Sequence, residues 1–125
     1  MIRFLKVMFG LGGEAVDHRN AVARLNRGSI LVDVRELQEF KDGHVEGALH
    51  VPLGEIRAQG VRAMDPDSVP AGSEVLLLCQ SGMRSRIAMS ILSQDRTRRY
   101  VNVRGGMVAW ANDGLPVTRE VKECQ

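Results

Sequence analysis

One short stretch holds the residues best suited to chemistry. In "LLLCQSGMRSRIAMSIL" (76–92) an apolar run stops at Cys79, small and polar residues follow, and Arg84 opens a second apolar pattern of helical period. A thiolate is a strong nucleophile, but a free thiol has a pKa of about 8.5 and is mostly protonated at neutral pH. Three features of Cys79-Gln80-Ser81-Gly82-Met83-Arg84 favour the anion. The loop leads into a helix N-terminus, where unpaired N–H groups and the macrodipole attract negative charge. Gly82 and Ser81 are small enough for successive backbone N–H groups to converge on an anion. Arg84 brings a permanent forked cation, and no Asp or Glu between Cys79 and Ile91 cancels it. The competing reading is a small buried cysteine ending a strand; the glycine loop, the helix and the arginine together favour a reagent. No histidine is required for this activation. His18, His44 and His50 read as structural, their spacing matches no metal site, and no cofactor is expected.

The elements that must position the loop follow from periodicity. Residues 14–28 read as a modest helix with Val22 and Leu25 on one face and Gly28 as its stop. "SILVDV" (29–34) and "EVLLLC" (74–79) are continuously apolar, as strands buried on both faces are. "RELQEFKDGH" reads as a short helical turn, "ALHVP" as a brief strand, and "LGEIRAQGVRAM" as a weak helix interrupted by glycine. From Arg84 onward, Ile87, Ala88, Ile91 and Leu92 fall on one helical face, with Ser85, Arg86 and Ser93 pointing elsewhere. "RYVNV" is a fourth strand and "GGMVAWANDG" a glycine-led helix. Alternating strands and helices predict an α/β fold, a mostly parallel sheet with helices on both faces. Cys79 then sits at the carboxyl rim, where such sheets bind ligands.

Composition limits the remaining choices. With 125 residues, 44% apolar and 26% charged, one globular domain is expected. A net charge of +2 with scattered arginines argues against nucleic acid as the main partner. Two cysteines, Cys79 and Cys124, do not make a disulfide framework. In "MIRFLKVMFGLGG" Lys6 splits the apolar stretch and no small-residue cleavage pattern closes it, so neither a signal peptide nor membrane insertion is expected. The expectation is a cytoplasmic protein with an extension over 1–13, a domain over 14–120 and a tail over 121–125.

The loop "CQSGMRS" resembles the active-site loop of the rhodanese family of sulfurtransferases. "ILVDVRELQEFKDGHVEGALHVPL" is similar to that family's first signature and "VRGGMVAWANDGLPV" to its C-terminal one, together spanning about 28–117 in the right order. The resemblance implies a small rhodanese-like α/β domain in which Cys79 carries a persulfide. The sulfur would pass from a small-molecule donor such as thiosulfate, or from a protein persulfide, to a thiol or cyanide acceptor. By the same resemblance Cys79 is the nucleophile, Gln80, Ser81, Gly82, Met83 and Arg84 form the anion-binding loop, and Asp33 and Arg35 support it. A plain ion pair at a strand end is an equal reading of Asp33 and Arg35. His44 is expected to be structural, and Gly105, Gly106 and Trp110 to form the turn and packing anchor of the last helix. "QDRTRRY" departs from the pattern, with an arginine cluster where a glycine usually precedes the last strand. Two other functions remain open: a cysteine-based phosphatase or arsenate reductase, and a non-catalytic interaction module.

Overall fold

Strands that are apolar at every position have two faces to bury. The structure, a computed structural model describing residues 13–121, covers both. In chain order the elements are β1 (Glu14–Val16), α1 (His18–Asn26), β2 (Ile30–Asp33), α2 (Leu37–Asp42), β3 (Leu49–His50), α3 (Leu53–Gln59) with a 3₁₀ turn (Gly60–Ala63), β4 (Glu74–Leu78), α4 (Met83–Leu92), β5 (Arg99–Val103) and α5 (Gly106–Asn112). The strands form one sheet in the order β1-β5-β4-β2-β3, and every pairing is parallel. The fold is α/β, with β4 at its centre.

Alternation along the strands divides the core. Val32, Val34, Val75, Leu77 and Cys79 pack with Ile56, Ala88 and Leu92, from α3 and α4. Leu31, Leu76 and Leu78 pack with Ala21, Met107 and Trp110, from α1 and α5. Leu76, Leu77 and Leu78 are fully buried, and each such side chain contributes about 1.5–3 kcal/mol through burial. Because the sheet is parallel, β2, β4 and β5 all end at one rim.

Two expectations are corrected. Glu14–Val16 is a parallel edge strand beside β5 rather than the first turn of a helix. Asp17 caps α1 through a 2.8 Å bond from the Asn20 N–H, which starts the helix at His18. The apolar face of α4 is also rotated: Ser85 is fully buried with Ala88 and Leu92, whereas Ile87 is exposed. The arginine-rich connection before β5 is held by a side chain instead of a glycine turn. Asp95 accepts from the Thr97 N–H (2.9 Å) and hydroxyl (2.6 Å), Arg98 (2.9 Å) and the Tyr100 hydroxyl (2.6 Å). Burial pushes the Asp95 carboxyl up, but these donors outweigh it and hold the pKa well below the ordinary range. Apart from Gly13, the expected extension over 1–13 lies outside the described residues, as does Cys124.

Candidate active site

The chain leaves β4 at Leu78 and turns around the Cys79 sulfur before entering α4. Gly82, at φ +102, takes the left-handed conformation that closes the turn, and its N–H donates to Cys79 Sγ at 3.0 Å. Ser85 Oγ lies 3.5 Å from the sulfur. Burial pushes the Cys79 thiol up. The Ser85 hydroxyl and the backbone N–H groups of Ser85, Gly82 and Ser81 outweigh that effect and hold its pKa below the ordinary thiol value.

The loop is anchored from two sides. At the start of α5 the Met107 N–H donates to the Cys79 carbonyl at 2.8 Å and the Val108 N–H to the Gln80 carbonyl at 3.0 Å. This approach requires Gly106, at φ +53, because a Cβ there would meet the Cys79 carbonyl oxygen at 2.3 Å. From the other side, the buried Arg35 is paired with Asp33 through Nε–Oδ1 (3.1 Å) and Nη2–Oδ2 (2.9 Å). Its Nη1 donates to Gln80 Oε1 at 3.2 Å and its Nη2 to the Gly43 carbonyl at 2.8 Å. Asp33 and Arg35 are therefore both a strand-end ion pair and a contact to the loop.

Arg84 is placed differently from the expectation of a free cation. Its Nη1 and Nη2 donate to Glu39 Oε1 and Oε2 of α2 at 2.6 and 2.8 Å. The Arg84 guanidinium holds the Glu39 carboxyl down at about 2. No acidic residue lies near Arg84 in sequence; α2 supplies one from 45 positions away.

The histidines are occupied structurally. The buried His44 bonds the Phe40 carbonyl through Nδ1 at 2.6 Å and stacks on the Phe40 ring at 3.7 Å. His50 Nε2 lies 2.7 Å from the Arg35 carbonyl, and His18 Nε2 is 3.0 Å from Asp113. Trp110 is buried beneath α5, as expected of a packing anchor. Among the described residues no group of three or more His, Cys, Asp or Glu side chains is placed to hold a metal ion.

Three residues at the site were missed from sequence: Ser85, Glu39 and Asn102. Ser85 Oγ is 2.5 Å from Asn102 Oδ1 and 3.1 Å from the Gly82 carbonyl oxygen, all in the protein interior. A signal for Ser85 existed, since 85, 88 and 92 are themselves helically spaced. Glu39 and Asn102 carry no local signal. The whole arrangement can hold a thiolate in a dry socket and present its outer side to a reacting sulfur or anion.

A rhodanese-like domain model matches residues 17–113. The chain belongs to the rhodanese-like domain family. It is 35% identical over 88 residues to a sulfurtransferase of Allochromatium vinosum, covering 70% of this chain and 77% of that protein. It is 31% identical to thiosulfate sulfurtransferase 18 of Arabidopsis thaliana, covering 87% of this chain and 86% of the relative. A rhodanese-related protein from Thermoplasma volcanium superposes with a TM-score of 0.71 at 25% identity, covering 86% of this chain and 99% of that one. In this rhodanese-like domain a cysteine, a glycine turn and an arginine follow the central strand. The rim charge of Arg84 is balanced by Glu39.

Proposed function

We propose that this rhodanese-like domain is a sulfurtransferase working through a persulfide on Cys79, with residues 14–120 as its one catalytic domain. The observation that carries the reading is the socket around Sγ, with the Gly82 N–H at 3.0 Å and the Ser85 hydroxyl at 3.5 Å. In the loading step the Cys79 thiolate attacks the outer sulfur of thiosulfate, an Sγ–S bond forms, and the S–S bond of thiosulfate breaks with its electron pair leaving on sulfite. In the discharge step a cyanide carbon or a thiolate attacks the outer sulfur, and the Sγ–S pair returns to Cys79. No oxidant, reductant or cofactor enters either step. A protein persulfide can load the same cysteine by the same exchange. Backbone donors surround Sγ where charge leaves and returns, which is where preorganised dipoles accelerate a reaction.

The names of the two relatives support sulfur transfer. Loop size weighs against phosphoryl or arsenate chemistry. Only four residues separate Cys79 from Arg84, a small circumference for backbone N–H groups that must ring a tetrahedral oxyanion beside the sulfur. Arg84, the cation such a site would turn on the oxyanion, has both ends on Glu39. No helix among the described residues is long and apolar enough to cross a membrane. Separately, we place the protein in the cytoplasm, where thiols are kept reduced. The test is thiocyanate production from thiosulfate and cyanide. Wild type is expected to produce it, Cys79→Ser to produce none with an unchanged circular dichroism spectrum, and neither to hydrolyse p-nitrophenyl phosphate. Phosphatase activity without sulfur transfer would reverse the assignment.

A further inference from the structure

Arg35 and Arg84 are the cations in contact with the loop or part of it, and each already has a carboxylate. Arg35 is buried, with Asp33, the Gln80 side chain and the Gly43 carbonyl around its guanidinium. Arg84 stands toward solvent, its side chain 31% exposed, and gives Nη1 and Nη2 to Glu39 at 2.6 and 2.8 Å. Glu39 is itself held from behind. Its Oε1 accepts the Glu36 N–H at 3.0 Å, so the first turn of α2 fixes the carboxylate where Arg84 meets it. Its pKa of about 2 keeps it ionised through the neutral range. The loop cation is thus bound to a counter-charge before any sulfur donor arrives.

Sulfur donors differ in charge. Thiosulfate is a dianion approaching a thiolate, so its encounter depends strongly on a cation free to meet it. A persulfide R–S–SH carries one negative charge at most at its sulfurs. When the Cys79 thiolate attacks its outer sulfur, an Sγ–S bond forms with the proton kept on that sulfur. The S–S bond of the persulfide breaks, its pair leaving on RS⁻. We infer that Glu39 is a specificity-determining residue that occupies Arg84 and so selects persulfide donors over dianionic ones. The inference rests on the persulfide reading above and names the donor class for the same cysteine. Arg86 and Arg104 follow the loop and are exposed, so salt screens their pull on an anion; Arg84 is the cation within the loop itself.

The test is the rate at which Cys79 gains one sulfur, followed by intact mass, from thiosulfate and from mercaptoethanol persulfide. Glu39→Gln removes the counter-charge but keeps an acceptor for the Glu36 N–H, so α2 starts as before. It should load from thiosulfate about tenfold faster than wild type, the low end of what a local field does for an association rate. That gain should shrink as salt rises, and loading from the persulfide should change by less than about twofold. Glu36→Gln is the control. Its charge also acts on Arg84, but among the described residues it makes no hydrogen bond to that side chain, so both rates should stay close to wild type. In an Arg84→Ala background Glu39→Gln should give no gain. A loss or no change with thiosulfate, an equal gain for both donors, an equal gain in Glu36→Gln, or a gain without Arg84 would each overturn the inference. A wild type that gains sulfur from neither donor would instead overturn the persulfide reading, and the inference with it.

Discussion

At Cys79 the donors that favour the anion are close and mostly neutral. The Gly82 N–H is 3.0 Å from Sγ, and the Ser81 and Ser85 backbone groups act with the Ser85 hydroxyl against a burial penalty. Arg84, the charged group that the loop sequence offers the thiolate, is bidentate to Glu39 and so brings a charge already largely offset. Ser85→Ala should therefore raise the thiol pKa more than Arg84→Ala does. Loss of a hydrogen bond to a charged group costs about 1.5–3 kcal/mol, which is about one to two pKa units. The alkylation rate of each variant as a function of pH measures both shifts, and a larger shift for Arg84→Ala would contradict this ordering. Cysteine and arginine were legible because their chemistry is written in residue type. Ser85 was not, because apolar spacing alone put Ile87 on the buried face and serine off it. The structure makes a polar side chain part of that face because the sulfur and Asn102 give it partners.

Two elements other than α4 hold the loop in shape, and each gives a separate prediction. Gly106 lets α5 dock on the Cys79 and Gln80 carbonyls, and a Cβ there would overlap backbone at 2.3 Å. Gly106→Ala should displace the loop, lower thermal stability and abolish sulfur transfer. Gly114→Ala is the control: its φ of +72 is also left-handed, but a Cβ would meet nothing within 4 Å. It should cost only the backbone strain, about 1–2 kcal/mol, and spare activity. Equal losses of activity in the two variants would contradict the docking role. The second element is α2, tied to the loop by Glu39. Its carboxyl is held at about 2, against 4.5 as the ordinary value. A depressed carboxyl pKa stabilises the folded chain fully above the unfolded value and progressively less as pH falls through the folded one. The stability difference between wild type and Glu39→Gln, from denaturant midpoints, should be present at pH 7 and shrink between about pH 4.5 and 2. The element order from residue 29 onward was legible from periodicity, since a run of two-faced strands separated by helices leaves few topologies. β1 was not, because its three residues are too few to show a period and only pairing with β5 makes them a strand.

Across the whole molecule, a parallel sheet delivers Asp33, Cys79 and the glycine pair at the start of α5 to one rim, although they lie far apart in the chain. Family signatures in the sequence carried this grouping as pattern. The pairing of Arg84 with Glu39 and the contact of Ser85 with Asn102 are products of the fold, formed across 45 and 17 positions, and no local rule reads them. Opposite the rim, at the amino ends of the strands, Arg24 bonds Glu14 at 2.6 Å and Glu74 at 3.0 Å, fastening the edge strand to the centre of the sheet. The molecule thus keeps ionic clasps at both ends of the sheet and its one described cysteine in a buried socket at the carboxyl end. The central claim is that this cysteine carries the transferred sulfur. Intact mass spectrometry after incubation with thiosulfate tests it most directly, with the position fixed by peptide mapping. The expected result is one added sulfur on Cys79, lost again on addition of cyanide and absent from Cys79→Ser. A wild-type protein that gains no sulfur at Cys79 yet still makes thiocyanate would contradict the account.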